Sequence, residues 1–102
     1  MTPLNVAILW HQHQPLYRSP RSGRYSLPWV RLHALKDYYD MAALAAEHPR
    51  LRLTFNLVPS LLDQLDDYIA GRADDPALDL ARRPPASFDD HDRSAILDLF
   101  FS

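Results

Sequence analysis

Leu4-Asn5-Val6-Ala7-Ile8-Leu9-Trp10, running directly into His11-Gln12-His13-Gln14-Pro15, is the stretch on which the fold turns. Asn5 is the only clearly polar side chain in residues 4–10. An apolar run of this length predicts a strand buried on both faces, as in a parallel sheet. Polar and aromatic groups then crowd into residues 10–14 where the strand should end, and Pro15 has no amide hydrogen with which to continue it. Ligands in parallel α/β folds gather at the C-terminal ends of strands. Side chains alternate along an extended chain, so His11 and His13 are expected to point the same way, into that mouth.

Working outward, residues 16–28 carry Pro20, Ser22, Gly23 and Pro28 and read as a loop. Leu32, Leu35, Tyr39, Ala42 and Ala46 recur at helical spacing, which predicts a helix over residues 29–47, closed by His48-Pro49. Residues 51–58 alternate Leu51, Leu53, Phe55 and Leu57 with Arg52, Thr54 and Asn56, a second strand ended by Pro59. Ser60, with Asp63 three residues on, is positioned to cap a second helix whose apolar face is Leu61, Leu62, Leu65, Tyr68 and Ile69, with Gly71 as its C-cap. Residues 71–86 are proline-rich and aperiodic and read as a loop. Residues 87–90 carry another capping signal ahead of the apolar residues 96–101.

The order strand, helix, strand, helix, loop, helix predicts an α/β chain with parallel strands and helical crossovers. Two strands do not make a stable sheet alone, and a (β/α)-barrel takes about 250 residues. The expectation is therefore the first two β/α units of an incomplete (β/α)-barrel. Residues 1–102 would be its N-terminal part, with 1–70 as β-α-β-α, 71–86 as a loop and 87–102 as the start of a helical segment truncated at Phe100-Phe101.

Composition excludes several classes. The formal charge is −2 and the densest basic pair is Arg82-Arg83, so there is no electrostatic footprint for nucleic acid or for an anionic membrane. The absence of cysteine rules out disulfides and thiolate metal sites and fits a cytoplasmic protein. Residues 6–10 are too short for a signal core or a membrane span.

Two chemistries suit the histidine pair. His-x-His after the first strand of a barrel is a zinc-hydrolase arrangement, although His33, His48 and His91 carry no recognisable spacing as further ligands. The alternative is a sugar site, in which imidazoles and amides exchange hydrogen bonds with hydroxyls while Trp10, Tyr17 and Trp29 offer apolar faces to pyranose rings.

Three blocks carry a resemblance. His11-Gln12-His13-Gln14-Pro15 resembles the first conserved region of glycoside hydrolase family 57, centred on His-Gln-Pro. Leu27-Pro28-Trp29-Val30-Arg31-Leu32-His33 with Lys36-Asp37-Tyr38-Tyr39-Asp40-Met41 resembles the segment that follows it. Thr54-Phe55-Asn56-Leu57-Val58-Pro59-Ser60-Leu61-Leu62 resembles the second strand and its turn. The resemblance spans roughly residues 4–70. It implies a retaining mechanism on α-glucans, of amylase, branching or glucan-transfer type. The Glu nucleophile and Asp acid/base are expected beyond residue 102, leaving the chain alone inactive. His11, His13, Gln14, Trp29 and Asn56 are then the substrate-binding set, with His13 contacting the sugar at the cleavage point. No metal or cofactor is implied. The partners are an α-glucan and the remainder of the barrel.

Two rivals remain open: a zinc-dependent barrel hydrolase built on His11 and His13, and a non-catalytic carbohydrate-binding module. Trp29 also suits a core anchor and Asn56 a turn former, and His33 is a further candidate at a helix start. Asp63, Asp66 and Asp67 read as a capping and solvated helix face. Asp89, Asp90 and Asp92 beside His91 suit either a cation or the start of a helix. Tyr38 and Tyr39 read as core and boundary residues.

Overall fold

The computed structural model of the chain describes residues 2–101. Strand β1, Leu9–Gln12, pairs in parallel with β2, Thr54–Leu57. Between them run α1 (Trp29–His33), a π turn (Ala34–Tyr38) and α2 (Tyr39–Glu47) as one continuous helical crossover. After β2 come α3 (Pro59–Ile69), α4 (Pro76–Arg82), a 3-10 turn (Pro85–Ser87) and α5 (Asp90–Phe100). The parallel pair and the helical crossover agree with the order expected from the sequence.

The strand boundaries differ from expectation. β1 begins at Leu9, not residue 4, and extends through His11 and Gln12. A strand is defined by its partner, and β2 starts only at Thr54, whose amide bonds to Ile8 O at 3.0 Å. Residues 4–7 therefore have no ladder to join. They are exposed rather than buried on both faces, with Leu4 88% accessible. β2 is likewise shorter than residues 51–58. Trp10 and Phe55, opposed in the register, meet edge-on at 5.3 Å.

The apolar core lies on the helical side. Tyr25 from the loop, Val30 of α1, Leu61 of α3, and Ala77 and Leu80 of α4 are buried. The radius of gyration is 18.2 Å, against about 13 Å for a closed domain of this length. The sheet's apolar side chains Leu9, Phe55 and Leu57 remain exposed. No helix among the described residues is long and apolar enough to cross a membrane.

Helix ends explain the remaining differences. α3 starts two residues earlier than expected, with Val58 as N-cap and Pro59, whose fixed φ suits a first helical position, in the first turn. No Ser60–Asp63 capping box forms: the Ser60 hydroxyl donates to Gln14 O at 2.8 Å and Asp63 pairs with Arg18. Gly71 does end α3. Its φ of +68° lets Arg72 N reach Asp67 O and Gly71 N reach Tyr68 O, the paired bonds of a Schellman end.

Residues 71–86, expected as a loop, contain α4. Asp75 caps it, accepting from Ala77 N and Leu78 N, and Pro76 follows in the first turn. That Asp-Pro pair was the available helix-start signal, hidden among prolines and arginines too dense for an apolar period to emerge. α5 begins with a reciprocal capping box between Asp89 and Asp92, so these acids are accounted for by the helix start.

Candidate functional site

The parallel register sets His11 directly opposite Asn56. Their side chains join at the C-terminal end of the sheet, His11 Nδ1 to Asn56 Oδ1 at 2.7 Å. With the amide oxygen accepting, the Nδ1-protonated tautomer is favoured and Nε2 presents a lone pair. Two residues on, the His13 ring stacks on His11 at 5.7 Å and 13° between planes. All three side chains are exposed. Gln12 and Gln14 point the other way and are buried against the helical layer, Gln12 Nε2 lying 3.7 Å from Met41 Sδ and Gln14 Nε2 donating to Tyr38 Oη at 2.9 Å.

The structure thus brings together His11, His13 and Asn56, and holds Gln14 behind them. Trp29, 38% exposed at the start of α1, meets the His33 ring at 6.2 Å, and His33 meets Tyr38 at 6.2 Å. Residues five apart on an α-helix diverge by about 140°. The π turn, with its extra residue, brings the Tyr38 ring round beside His33 and its hydroxyl onto His13 O at 3.2 Å. Tyr38, read from the sequence as core or boundary, is therefore part of the site's support.

That support is continuous. Gln12 O accepts from Val58 N at 3.3 Å, His13 O from Tyr38, and Gln14 O from Ser60. Pro15 O accepts from Gln64 Nε2 at 2.9 Å, and Gln64 Oε1 accepts from Tyr17 N at 2.8 Å. Sequence reasoning missed Tyr38, Ser60 and Gln64. The one signal was an amide, Gln64, set within the apolar stripe of α3 between Leu61 and Tyr68.

Beneath the site, Asp67 of α3 is buried and takes hydrogen bonds from Arg18 and from Tyr25 Oη, the latter at 3.0 Å, with Arg72 also paired to it. This corrects the expectation of a solvated acidic face: only Asp63 and Asp66 are exposed. Burial raises the Asp67 pKa, but the bonds from Tyr25 and Arg18 and the charges of Arg18 and Arg72 outweigh it, holding the carboxyl below its ordinary 3.8. Burial, together with the Asp67 carboxylate, pushes the Tyr25 hydroxyl well above its usual range. Asp92 is also held below 3.8, chiefly by the hydrogen bond from Arg83. A carboxyl with a depressed folded pKa stabilises the fold above its unfolded pKa and loses that contribution as pH falls through the folded value. Stability followed by thermal unfolding and circular dichroism should fall as pH drops below about 4. A Tm that holds or rises as pH falls from about 4 to about 2 would contradict these pairings.

Asp89, His91 and Asp92 place potential ligand atoms within 4.8 Å of one another. Arg83 already bonds both Asp92 oxygens, and Asp89 caps α5, so the cluster has local partners. Among the described residues no group of three metal-capable side chains includes His11 and His13.

Two parallel strands joined by a helical crossover define a small α/β chain, with a stacked histidine pair and a facing amide exposed at the strand ends. The chain belongs to glycosyl hydrolase family 57, whose family model matches residues 7–94, from ahead of β1 into α5. It is thus a sequence of glycoside hydrolase or transglycosylase type, as the motifs of the first two strands led one to expect. No curated protein and no solved structure matches the chain.

Proposed function

We propose that this chain forms the opening two β/α units of a (β/α)-barrel acting on α-glucans by a retaining mechanism, and that it supplies the substrate-binding wall beside the cleavage point. The observation that carries this reading is the His11–His13–Asn56 group at the sheet's C-terminal end. His13 and the Nε2 atom of His11 offer hydrogen bonds to sugar hydroxyls, Asn56 fixes His11, and Trp29 gives an apolar face to a neighbouring ring. Gln14 contributes from behind, through Tyr38. The uncovered apolar sheet supports a barrel reading, since Leu9, Phe55 and Leu57 would be buried by further β/α units. The retaining pair, a Glu nucleophile and an Asp acid/base about 5 Å apart, would come from such units, so this chain alone is inactive. Its freedom from cysteine suits a cytoplasmic setting.

Titration of the ¹⁵N-labelled chain with maltoheptaose, and separately with zinc, tests the reading. The expected result is saturable perturbation of the His11, His13 and Asn56 resonances by the glucan. Stoichiometric zinc bound by His11 and His13, with no response to glucan, would replace it with the zinc-hydrolase alternative.

A further inference from the structure

As β1 ends, four consecutive carbonyls, those of Gln12, His13, Gln14 and Pro15, each accept a hydrogen bond from elsewhere in the chain. One donor is the β2-end amide of Val58; the others are the side chains of Tyr38, Ser60 and Gln64. Backbone leaving a strand is ordinarily satisfied by water, and here it is captured by side chains instead. Gln64 is central. It is 0% exposed, and both ends of its amide are engaged on the segment that follows the histidines. Nε2 donates to Pro15 O and also to Ser60 O at 2.7 Å, and Oε1 accepts from Tyr17 N. Ser60 and Gln64 lie one turn apart on α3, so a single rigid helix face grips the chain on both sides of Leu16. With the backbone fixed from residue 12 to residue 17, the Cα–Cβ direction of His13 is set, and its ring lies stacked against His11.

The geometry points to Gln64 as a positioning residue. With Ser60, it clamps the backbone after β1 so that His13 and His11 are presented as a stacked pair to the incoming sugar. It touches no substrate itself. The inference rests on the glucan-wall reading for its functional consequence but not for its structural one, and two readouts separate them.

The experiment compares wild type with Gln64→Met, which keeps volume and loses both hydrogen-bonding ends, and with the milder Ser60→Ala. Arg83→Met, which breaks the distant pairing with Asp92, serves as a control for lowered stability. Two measurements are made on each: the cross-peak between the His11 and His13 rings, and the affinity for maltoheptaose. Gln64→Met is expected to erase the cross-peak and weaken maltoheptaose about tenfold or more. Ser60→Ala should do so partially, and Arg83→Met should change neither despite a lower Tm. A Gln64→Met protein that melts earlier yet keeps the cross-peak and the wild-type affinity would reduce Gln64 to a packing role and overturn the inference. If Gln64→Met fails to fold, Ser60→Ala decides: an unchanged cross-peak overturns the clamp and a diminished one upholds it. If wild type ignores maltoheptaose, the glucan reading falls, and the cross-peak alone still settles the clamp.

Discussion

Replacing Asp75 by alanine will destabilise the fold by about 3–4 kcal/mol, a drop of roughly 15–20 °C in Tm. Asp75 is 2% exposed and serves three elements at once. One oxygen caps α4 through Ala77 N and Leu78 N; the other takes Arg31 Nε of α1 at 3.3 Å and Tyr68 Oη of α3 at 3.0 Å. Losing a cap costs about 1 kcal/mol. The larger share comes from Arg31, whose side chain is mostly buried and would be left without its carboxylate. Asp75→Asn should cost less, because the amide oxygen can still cap α4. Urea or thermal unfolding of both variants gives the comparison, and an alanine variant within about 1 kcal/mol of wild type would show that Arg31 finds water or another partner.

His13→Ala is the variant with the largest expected effect on chemistry. On the proposed placement of His13 beside the cleavage point of an α-glucan, its removal should lower kcat by about 10²–10³-fold, on the order of 3–4 kcal/mol, with a smaller change in KM. The asymmetry follows if the contact strengthens as charge develops on the sugar ring. Asn56→Ala should act through His11, releasing Nδ1 and loosening the stacked pair, and so cost less. A chelator should leave activity intact. Unchanged turnover in His13→Ala would remove His13 from the cleavage point, and chelator-sensitive turnover would move the reading to a metal site.

Local periodicity accounts for what could be read in advance. A period of two was enough to put His11 and His13 on one side, and the order of apolar runs was enough for parallel strands and a helical crossover. The strand limits were not legible, because a ladder ends where its partner ends and β2 is short. The buried carboxylates were illegible for a related reason. Asp67 meets Arg18 and Tyr25, which lie 49 and 42 positions away in the chain, and no local pattern separates such an acid from the exposed Asp63 and Asp66 beside it. In retrospect, Leu61, Gln64 and Asp67 recur every three residues and are the buried residues of α3, so the stripe continued through polar side chains that a hydrophobic count passes over. The π turn left no mark in the sequence either, since its residues are ordinary helix formers.

The contacts that shape the mouth are all distant in sequence: His11 with Asn56 across 45 positions, Ser60 with Gln14 across 46, Gln64 with Pro15 across 49. In a nascent chain the first of these must wait for β2 and the other two for α3. The paired geometry of the histidine motif therefore depends on residues more than 40 positions away. Its geometry appears in the same cooperative event that closes the first β-α-β-α unit, and contacts of this span make that event slow to nucleate. Because both arise in one event, a destabilising change within that unit is expected to loosen the stacked histidine pair together with the parallel strands.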